Sequence, residues 1–314
     1  MKRVIVSGAT SMLGVSLIKE CIANKTEVVA LVRPNSANFN RLPDSKYITI
    51  IECNLRALSD LEVDEAKGFD VFYHFGWEGT SKSDRENTLI QFQNIGYTLD
   101  AVNLTNRIGC KRFVGAGSQA EYGRVNEKVI SPSSATNPEI AYGVAKLSAG
   151  KLSALLAQQL GVEHIWTRVF SVYGPHDNAN TMIMSALDKM LRHQPTQFTK
   201  CEQTWDYLYT DDAARAFYLI GSKGKPQSVY CLGSGQTKVL SEYIKVIQDK
   251  TATPLSSGIG EIPYSNNQVM NLCADISSLT SDVGFSPSID FESGISQMID
   301  WYKTVNSQSQ ESIS

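Results

Sequence analysis

The chain has 314 residues, of which 42% are hydrophobic and 19% are charged, so it can bury a large core and has the composition of a globular protein. Its 29 lysines and arginines stand against 32 aspartates and glutamates, a net charge of -3, which argues against a nucleic acid or an anionic membrane as partner. We therefore expect a small-molecule partner, and any phosphate groups it carries are expected to be bound locally.

The N-terminus and the cysteines bear on the compartment. Met1-Lys2-Arg3 leads directly into a strand pattern without the apolar core of a signal peptide, and no apolar run approaches the roughly 20 residues of a membrane span. The six cysteines are scattered and lack the close pairs of a zinc site. We predict reduced cysteines, no metal site, no membrane contact and a cytoplasmic protein.

A glycine-rich turn follows the first predicted strand, residues 3–7. Apolar residues then recur at helical spacing from Leu13 to Ile22, so the order is strand, tight turn and helix. The glycines permit a backbone conformation and a close approach that side chains obstruct, and the free N–H groups at the helix start can hold a pyrophosphate. A purely structural turn is the alternative. The predicted cofactor-binding residues of this turn are Gly8, Thr10, Ser11, Met12, Leu13 and Gly14.

Strand-like apolar runs alternate with helical patterns along the chain. Strands are predicted at 28–32, 48–51, 71–75, 112–115 and 164–169, and helices at 94–105 and 139–159. This alternation predicts an α/β fold, a Rossmann-type doubly wound parallel sheet with a smaller C-terminal substrate-binding lobe. We expect a dinucleotide-binding domain over 1–173, the lobe over 174–305 with residues 205–235 returning to the first domain, and a disordered polar tail over 306–314.

A tyrosine and a lysine lie one helical turn apart, downstream of a serine: Tyr142, Lys146 and Ser118. Residues four apart share a face of a helix, and an ammonium there lowers the tyrosine pKa from roughly 10 toward working pH. A phenol tuned in this way can give a proton to a sugar or alcohol oxygen, or take one from it. With the glycine turn upstream, these three residues predict acid/base catalysis beside a hydride carrier.

Four motifs in chain order resemble those of a known family. They are the glycine turn, the segment Ser118 to Gly123, the Tyr142 and Lys146 pair, and the segment 168–175, which reads R-x-x-x-V-Y-G-P. From Gly8 to about Tyr302 the chain is similar to the extended short-chain dehydrogenase/reductases that act on nucleotide sugars, the NAD-dependent epimerase/dehydratase family.

The resemblance implies further site residues. Asn54 and Leu55 would border the adenine, and Asn94 would support the active site from a helix. The fourth strand would end beside the cofactor with His74, Phe75 and Gly76, although a structural role is the alternative for His74. Phe170, Tyr142 and Lys146 would also contact the cofactor. The substrate would contact Gln119, Asn180 and Trp205.

The end of the second strand indicates which cofactor is used. An NAD enzyme places a carboxylate about 20 residues beyond the glycine turn to bind the ribose 2′-hydroxyl, and residues 30–36 contain none. Arg33 and Ser36 are suited to a 2′-phosphate instead. We therefore expect NADP(H), with NAD as the other possibility and an ordinary surface arginine as the alternative reading of Arg33.

Two further positions depart from the family's patterns. Gln119 and Ala120 stand where the 4,6-dehydratases carry Asp and Glu, and neither an amide nor a methyl group can shuttle a proton, so dehydration is disfavoured. Trp205 stands where the family places a diphosphate-binding arginine, and it would stack on a base, contact a sugar or pack in the core. The candidates to replace that arginine are Lys189, Arg192 and Lys200.

The segments 203–207, 262–264 and 267–270 most resemble the branch that contains CDP-abequose and CDP-paratose synthases and related 4-ketoreductases. This resemblance implies NADPH-dependent reduction of a nucleotide-linked 4-keto-6-deoxy or 3,6-dideoxy hexose for surface polysaccharides, by a homodimer paired through two helices. An NAD-dependent, UDP-glucose 4-epimerase-like enzyme stays open because it uses the same three residues. A non-catalytic NADP-binding regulatory protein is the alternative of another class.

Overall fold

Three sheets organise the protein, and the largest lies at its centre. The structure is a computed structural model that describes residues 1–63, 68–265 and 268–311; residue 267, in one of the segments used for the resemblance, lies outside them. The strands of the described residues are β1 (Arg3–Ser7), β2 (Glu27–Val32), β3 (Ile48–Glu52), β4 (Val71–His74), β5 (Arg112–Ser118), β6 (Glu163–Val169), β7 (Ser171–Tyr173), β8 (Thr204–Trp205), β9 (Tyr207–Tyr209), β10 (Ser228–Leu232), β11 (Lys238–Val239) and β12 (Asn271–Leu272).

The central sheet has seven strands in the order β10-β6-β5-β4-β1-β2-β3. All of its neighbouring strands pair in parallel. The chain winds outward from β1 to β3, then returns to pair β4 on the other side of β1, with Ser7 opposite His74. This reversal leaves a crevice beyond the carboxyl ends of β1 and β4, where open α/β sheets bind ligands.

Helices cover both faces of this sheet. The helices of the described residues are α1 (Met12–Ala23), α2 (Thr88–Arg107), α3 (Ala141–Leu160), α4 (Met182–Leu191), α5 (Thr210–Lys223), α6 (Leu240–Thr251), α7 (Ser277–Val283) and α8 (Phe291–Glu311). Of these, α1, α5 and α7 pack on one face of the central sheet, and α2 and α3 pack on the other. Alternate residues of β1 belong to opposite apolar clusters: Val4 packs with α1 and α5, whereas Ile5 packs with α2 and α3. The inner strands β1, β2 and β4 are largely apolar because both faces of the sheet are buried there.

The smaller sheets belong to a second layer near the C-terminus. Helices α4, α6 and α8 share an apolar cluster with Tyr173 and Tyr209, which lie on the paired strands β7 and β9. In the chain between α5 and α6, β10 returns to the edge of the central sheet and pairs with β6. Helix α8 continues through Glu311, so it includes most of the segment expected to be a disordered tail; residues 312–314 lie outside the described residues.

The predicted parallel α/β fold and its first six strands are confirmed, each to within a few residues. The helix predicted at 94–105 begins earlier, at Thr88, because Asn87 caps it: its side-chain oxygen accepts a hydrogen bond from the N–H of Ile90 at 3.2 Å. Within the described residues no helix is both long and apolar enough to cross a membrane.

Candidate active site

The glycine turn lies where the sequence places it, between β1 and α1. Gly8 has a φ of +68°, and a Cβ on it would lie 2.7 Å from the backbone nitrogen of Gly76; a Cβ on Gly14 would lie 2.4 Å from the carbonyl oxygen of Gly8. Ser11 caps α1, because its hydroxyl oxygen accepts the N–H of Gly14 at 3.1 Å. The N–H groups of Met12 and Leu13, in the same first turn, have no acceptor within the helix, and both residues line a cleft described below.

His74 joins β1, β4 and α2 through a chain of hydrogen bonds. The N–H of Gly76 donates to the Ser7 hydroxyl at 3.3 Å, and that hydroxyl shares a 2.8 Å bond with Nδ1 of His74. The Thr98 hydroxyl donates to the carbonyl of Asn94, so Nε2 of His74 donates to Thr98 at 3.4 Å. Burial, followed by the charge of Lys146, lowers the pKa of His74 to about 3. His74 is thus a neutral structural residue, the alternative stated for it above.

The first of two adjoining clefts, the glycine-turn cleft, has a volume of about 790 Å³. It is lined by Arg33 and Ser36, which follow β2, and its acidic lining residues, Glu78 and Asp84, come from the loop after β4. Arg41, which sequence reasoning missed, donates from its guanidinium to the carbonyl of Thr10 at 3.4 Å. Other expected cofactor residues that line this cleft are Gly8, Thr10, Ser11, Asn54, Leu55, Phe75 and Gly76.

The second cleft, the tyrosine cleft, has a volume of about 510 Å³ and is lined by Ser118, Tyr142 and Lys146. It also contains the expected residues Met12, Leu13, Gln119, Phe170 and Trp205. The two clefts share a wall made by Ser11, Phe75, Trp77 and Thr80. Because they adjoin at the carboxyl edge of the sheet, a single extended ligand can occupy both.

Ser118 ends β5 and starts a short helical turn. Its hydroxyl oxygen accepts the N–H of Ala120 at 3.2 Å, and its own N–H donates to Oε1 of Glu121 at 2.9 Å, which together form a capping box. Glu121 is fully buried, and its carboxylate also accepts from Nε1 of Trp166 at 2.9 Å and from Nε of Arg168 at 2.7 Å. This buried network fixes the serine at the edge of the tyrosine cleft.

Lys146 is buried between a backbone carbonyl and an indole ring. Its Nζ donates to the carbonyl of Ala116 at 2.7 Å and lies 3.6 Å from the centre of the Trp77 ring. Burial lowers its pKa to about 7, Glu121 opposes that shift, and Arg85 adds to it. Burial therefore weakens the preference of Lys146 for its charged form.

The pKa of Tyr142 departs from the sequence-based expectation. The sequence predicted that Lys146 lowers it, but burial raises the pKa of Tyr142 above its usual value. The main opposing influence is the guanidinium of Arg85, followed by a hydrogen bond with Ser118, while Glu121 raises the pKa further. The expectation was wrong in direction because helical spacing gives the neighbour of a residue but not its burial.

A loop after β4, residues 77–86, forms one side of the tyrosine cleft. Asn94 holds its start, accepting the N–H of Glu78 at 2.7 Å and donating to the Glu78 carbonyl at 3.0 Å. Gln91 accepts from Nε1 of Trp77 at 2.8 Å. Asn94 therefore supports the site from α2 as expected, without lining either cleft. Sequence reasoning missed Trp77 and Arg85, since this loop has no periodic pattern.

Of the three expected substrate residues, two line the tyrosine cleft and one does not. Gln119 and Trp205 line the tyrosine cleft, and Nε1 of Trp205 donates to the Ser171 hydroxyl at 2.7 Å. Asn180 does not line either cleft: its side chain is exposed, because the turn formed around Asn178 points it outward. Asp177 lines the cleft instead, and burial raises its pKa to about 6.

The basic residues suggested as substitutes at Trp205 lie elsewhere. Among the described residues that line the tyrosine cleft, neither Lys189, Arg192 nor Lys200 occurs, and Arg192 pairs with Asp188 at 2.9 Å. The six cysteines are free, and the described residues contain no group of three histidine, cysteine or acidic side chains arranged to hold a metal.

Comparison with known proteins supports the family resemblance seen in the sequence motifs. Residues 4–233, well over half of the chain, match the model of the NAD dependent epimerase/dehydratase family. The chain is 24% identical to an uncharacterized UDP-glucose epimerase of Bacillus subtilis over 95% of this chain and 96% of that protein. It is 23% identical to CDP-abequose synthase of Salmonella muenchen, over 95% of this chain and 97% of that protein.

A solved structure shows the same fold over the whole length. UDP-glucose 4-epimerase of Thermotoga maritima, solved with UDP-glucose, superposes with a TM-score of 0.86 at 18% identity, over 96% of this chain and 99% of that one. The family match spans the glycine turn, Ser118, Tyr142 and Lys146, which the fold gathers around two adjoining clefts. The chain is therefore an enzyme that belongs to the NAD dependent epimerase/dehydratase family.

Proposed function

We propose that this enzyme uses NADPH to reduce a nucleotide-linked 4-keto-6-deoxy or 3,6-dideoxy hexose, a reaction suited to making surface polysaccharide sugars. The observation that carries the proposal is the end of β2, where Arg33 and Ser36 line the glycine-turn cleft. A reductase must release its oxidised cofactor in every cycle, and an exchangeable phosphorylated cofactor suits that need. Nucleotide sugars as substrates are supported by the family and by the relatives named above.

The two clefts fit a dinucleotide. Gly8 and Gly76 both line the glycine-turn cleft, where their backbones approach each other too closely for a Cβ on Gly8. The first turn of α1 offers N–H groups to a pyrophosphate, and Arg33 offers its guanidinium to a 2′-phosphate. Asn54 and Leu55 lie on the adenine side of this cleft in the proposal. Lys146 and Phe170 lie on the nicotinamide side, within the tyrosine cleft. The lobe within residues 174–305, apart from the segments that return to the central sheet, is assigned to the sugar and its nucleotide.

The catalytic roles follow from the contacts in the tyrosine cleft. The bound nicotinamide supplies the hydride. Ser118 and Tyr142 line the same cleft, so in the proposal both hydroxyls reach one oxygen: Ser118 donates a hydrogen bond to the 4-keto oxygen, and Tyr142 transfers its proton to that oxygen as it becomes an alkoxide. Lys146, held by the Ala116 carbonyl, binds the ribose of the cofactor.

Dehydration is disfavoured by the structure of the β5 end. Gln119 lines the tyrosine cleft but cannot exchange a proton at neutral pH. The nearby acid, Glu121, is buried, and its carboxylate binds the Ser118 N–H, Trp166 and Arg168. A carboxylate committed in this way is not free to shuttle protons to a sugar.

A 4-epimerase is the second candidate, because a relative and a solved structure of this fold carry that name. It would use the same serine, tyrosine and lysine. It differs in its use of the cofactor. An epimerase takes a hydride from the sugar and then returns it, so the cofactor is regenerated within each cycle and need not be released.

We also propose that two copies of the chain pair through α2 and α3, which pack against each other. Their outer faces carry apolar side chains at helical spacing: Leu89 and Phe92 on α2, and Val144, Leu152 and Leu155 on α3. An apolar face of this kind, on two adjacent helices, suits a symmetric partner surface.

The proposed function is tested by measuring NADPH consumption against sugar reduction. With a CDP- or dTDP-linked 4-keto-6-deoxyhexose, we expect one NADPH oxidised per sugar reduced, and UDP- and GDP-linked sugars complete the panel. Tyr142→Phe should lower turnover by a factor on the order of 10² to 10⁴ while melting temperature and NADPH affinity change little. Conversion of UDP-glucose to its 4-epimer without added cofactor would reject the reductase in favour of the second candidate.

A further inference from the structure

An arginine outside the sequence motifs lies against the proposed proton donor. The guanidinium carbon of Arg85 lies 4.9 Å from the centre of the Tyr142 ring, and Arg85 lines the tyrosine cleft. We propose that Arg85 is a positioning residue that stabilises the negative charge left on Tyr142 after its proton has passed to the substrate. The inference rests on the proposed function for the identity of the proton acceptor.

The loop that carries Arg85 is held in place at several points. The side-chain nitrogen of Gln91 donates to the carbonyls of Gly79 at 2.7 Å and Asp84 at 2.9 Å. Nε of Arg85 donates to the Thr80 carbonyl at 3.1 Å, and its backbone N–H donates to the Ser81 carbonyl at 3.0 Å. The guanidinium is therefore oriented before any ligand binds, so little side-chain entropy is left to lose.

The charges around Tyr142 favour Arg85 over Lys146 as the stabilising cation. Glu121 disfavours the phenolate, although its carboxylate is paired with Arg168 at 2.7 Å. Nζ of Lys146 lies 5.8 Å from the ring centre, and burial lowers the pKa of this lysine to about 7. A guanidinium stays protonated in proteins.

Two other groups complete the surroundings of Tyr142. The Ser118 hydroxyl lines the same cleft and lowers the pKa of the phenol. Asp177, from the segment before α4, lines the same cleft, and Arg85 lowers its pKa. Asp177 therefore competes with the phenolate for the guanidinium only once its own carboxyl, whose pKa is about 6, has ionised.

The first test separates kcat from KM. Arg85→Gln should lower kcat about tenfold with KM nearly unchanged, because a phenol whose pKa has risen is a weaker acid. The fall of kcat at alkaline pH should move to higher pH, and Arg85→Lys should restore most of the turnover. The matched control is Lys82→Gln, which removes a charge from the same loop outside both clefts and should change nothing.

A second test needs neither substrate nor cofactor. Tetranitromethane nitrates the phenolate form of tyrosine, so the nitration rate of Tyr142 at pH 8, measured by peptide mass spectrometry, reports its ionised fraction. Arg85→Gln should slow this nitration several-fold, whereas Lys82→Gln should not. Circular dichroism verifies that each variant is folded.

The outcomes distinguish this inference from the proposed function. A wild type that oxidises no NADPH with any 4-keto sugar rejects the proposed function, and the nitration rates then decide the role of Arg85 alone. A raised KM with unchanged kcat would make Arg85 a substrate contact and overturn the inference. Equal or faster nitration of Tyr142 in Arg85→Gln would overturn it as well.

Discussion

Two cations reach Tyr142 from different parts of the chain, and their surroundings make them unequal. Lys146 comes from the same helix, but burial lowers its pKa to about 7. Arg85 comes from a loop after β4 and keeps an exposed side chain. The lysine is therefore better suited to holding a ligand hydroxyl, and the arginine to offering a constant charge.

Arg33 allows a direct test of cofactor choice. Arg33→Asp should invert or abolish a preference for NADPH over NADH, because the new carboxylate repels the 2′-phosphate and can accept a hydrogen bond from a 2′-hydroxyl. Calorimetric titration of both cofactors measures the change. Lys46→Asp, an equal charge reversal outside both clefts, is the control and should keep the wild-type preference. Equal affinities in the wild type, unaltered by Arg33→Asp, would show that Arg33 does not contact the cofactor.

At the scale of elements, the sequence predicted the central sheet well because its signals are local. The continuous apolar run of β2 and the strand, turn and helix around Gly8 need no tertiary information. The loop 77–86 could not be predicted in the same way. It has no period, and its position depends on Gln91 and Asn94, which follow it in the chain.

The sequence predicted the motif residues of the candidate site, but not the properties that depend on burial or on turn geometry. Ser118, Tyr142 and Lys146 were identified by motif and spacing, and the structure brings them into one cleft. The direction of the Tyr142 pKa shift depended on burial, which spacing does not reveal. Asn180 was expected near the substrate, but a turn that begins at Asn178 exposes it.

The proposed pairing of two copies of the chain through α2 and α3 can be tested by a charge substitution. Leu155 is 57% exposed on α3, and Leu155→Glu would place a charge in the proposed apolar contact, where burying it without a partner is costly. We expect the variant to be monomeric by light scattering after gel filtration, while the wild type is dimeric. Leu255→Glu, at an exposed leucine away from both helices, should remain dimeric. A monomeric wild type would contradict the proposed pairing.

For the whole molecule, two buried histidines predict how stability depends on pH. Burial lowers the pKa of His74 to about 3 and that of His164 to about 4, against an ordinary value of 6.5. The unfolded chain therefore binds more protons below pH 6.5. Stability is complete above that pH and is lost as the pH falls toward the folded values, by up to about 1.4 kcal/mol per pH unit for each histidine.

Urea unfolding at a series of pH values measures this slope. In His164→Gln, the loss of stability between pH 6.5 and 4 should be shallower than in the wild type, because one proton fewer is taken up on unfolding. His164 lies away from both clefts, hydrogen-bonded to Ser153 at 2.9 Å. Identical slopes in the two proteins would contradict the buried neutral state of this histidine.

Trp77 stands in the wall between the two clefts, with its ring against Lys146 and its Nε1 bonded to Gln91. Indole emission overlaps the absorption band of reduced nicotinamide, so light absorbed by this side chain can pass to a cofactor bound beside it. The enzyme thus carries a built-in fluorescent label at the boundary between its two clefts. In the proposed function, its emission and that of Trp205, which lines the tyrosine cleft as well, would be weaker with a reduced than with an oxidised nicotinamide bound.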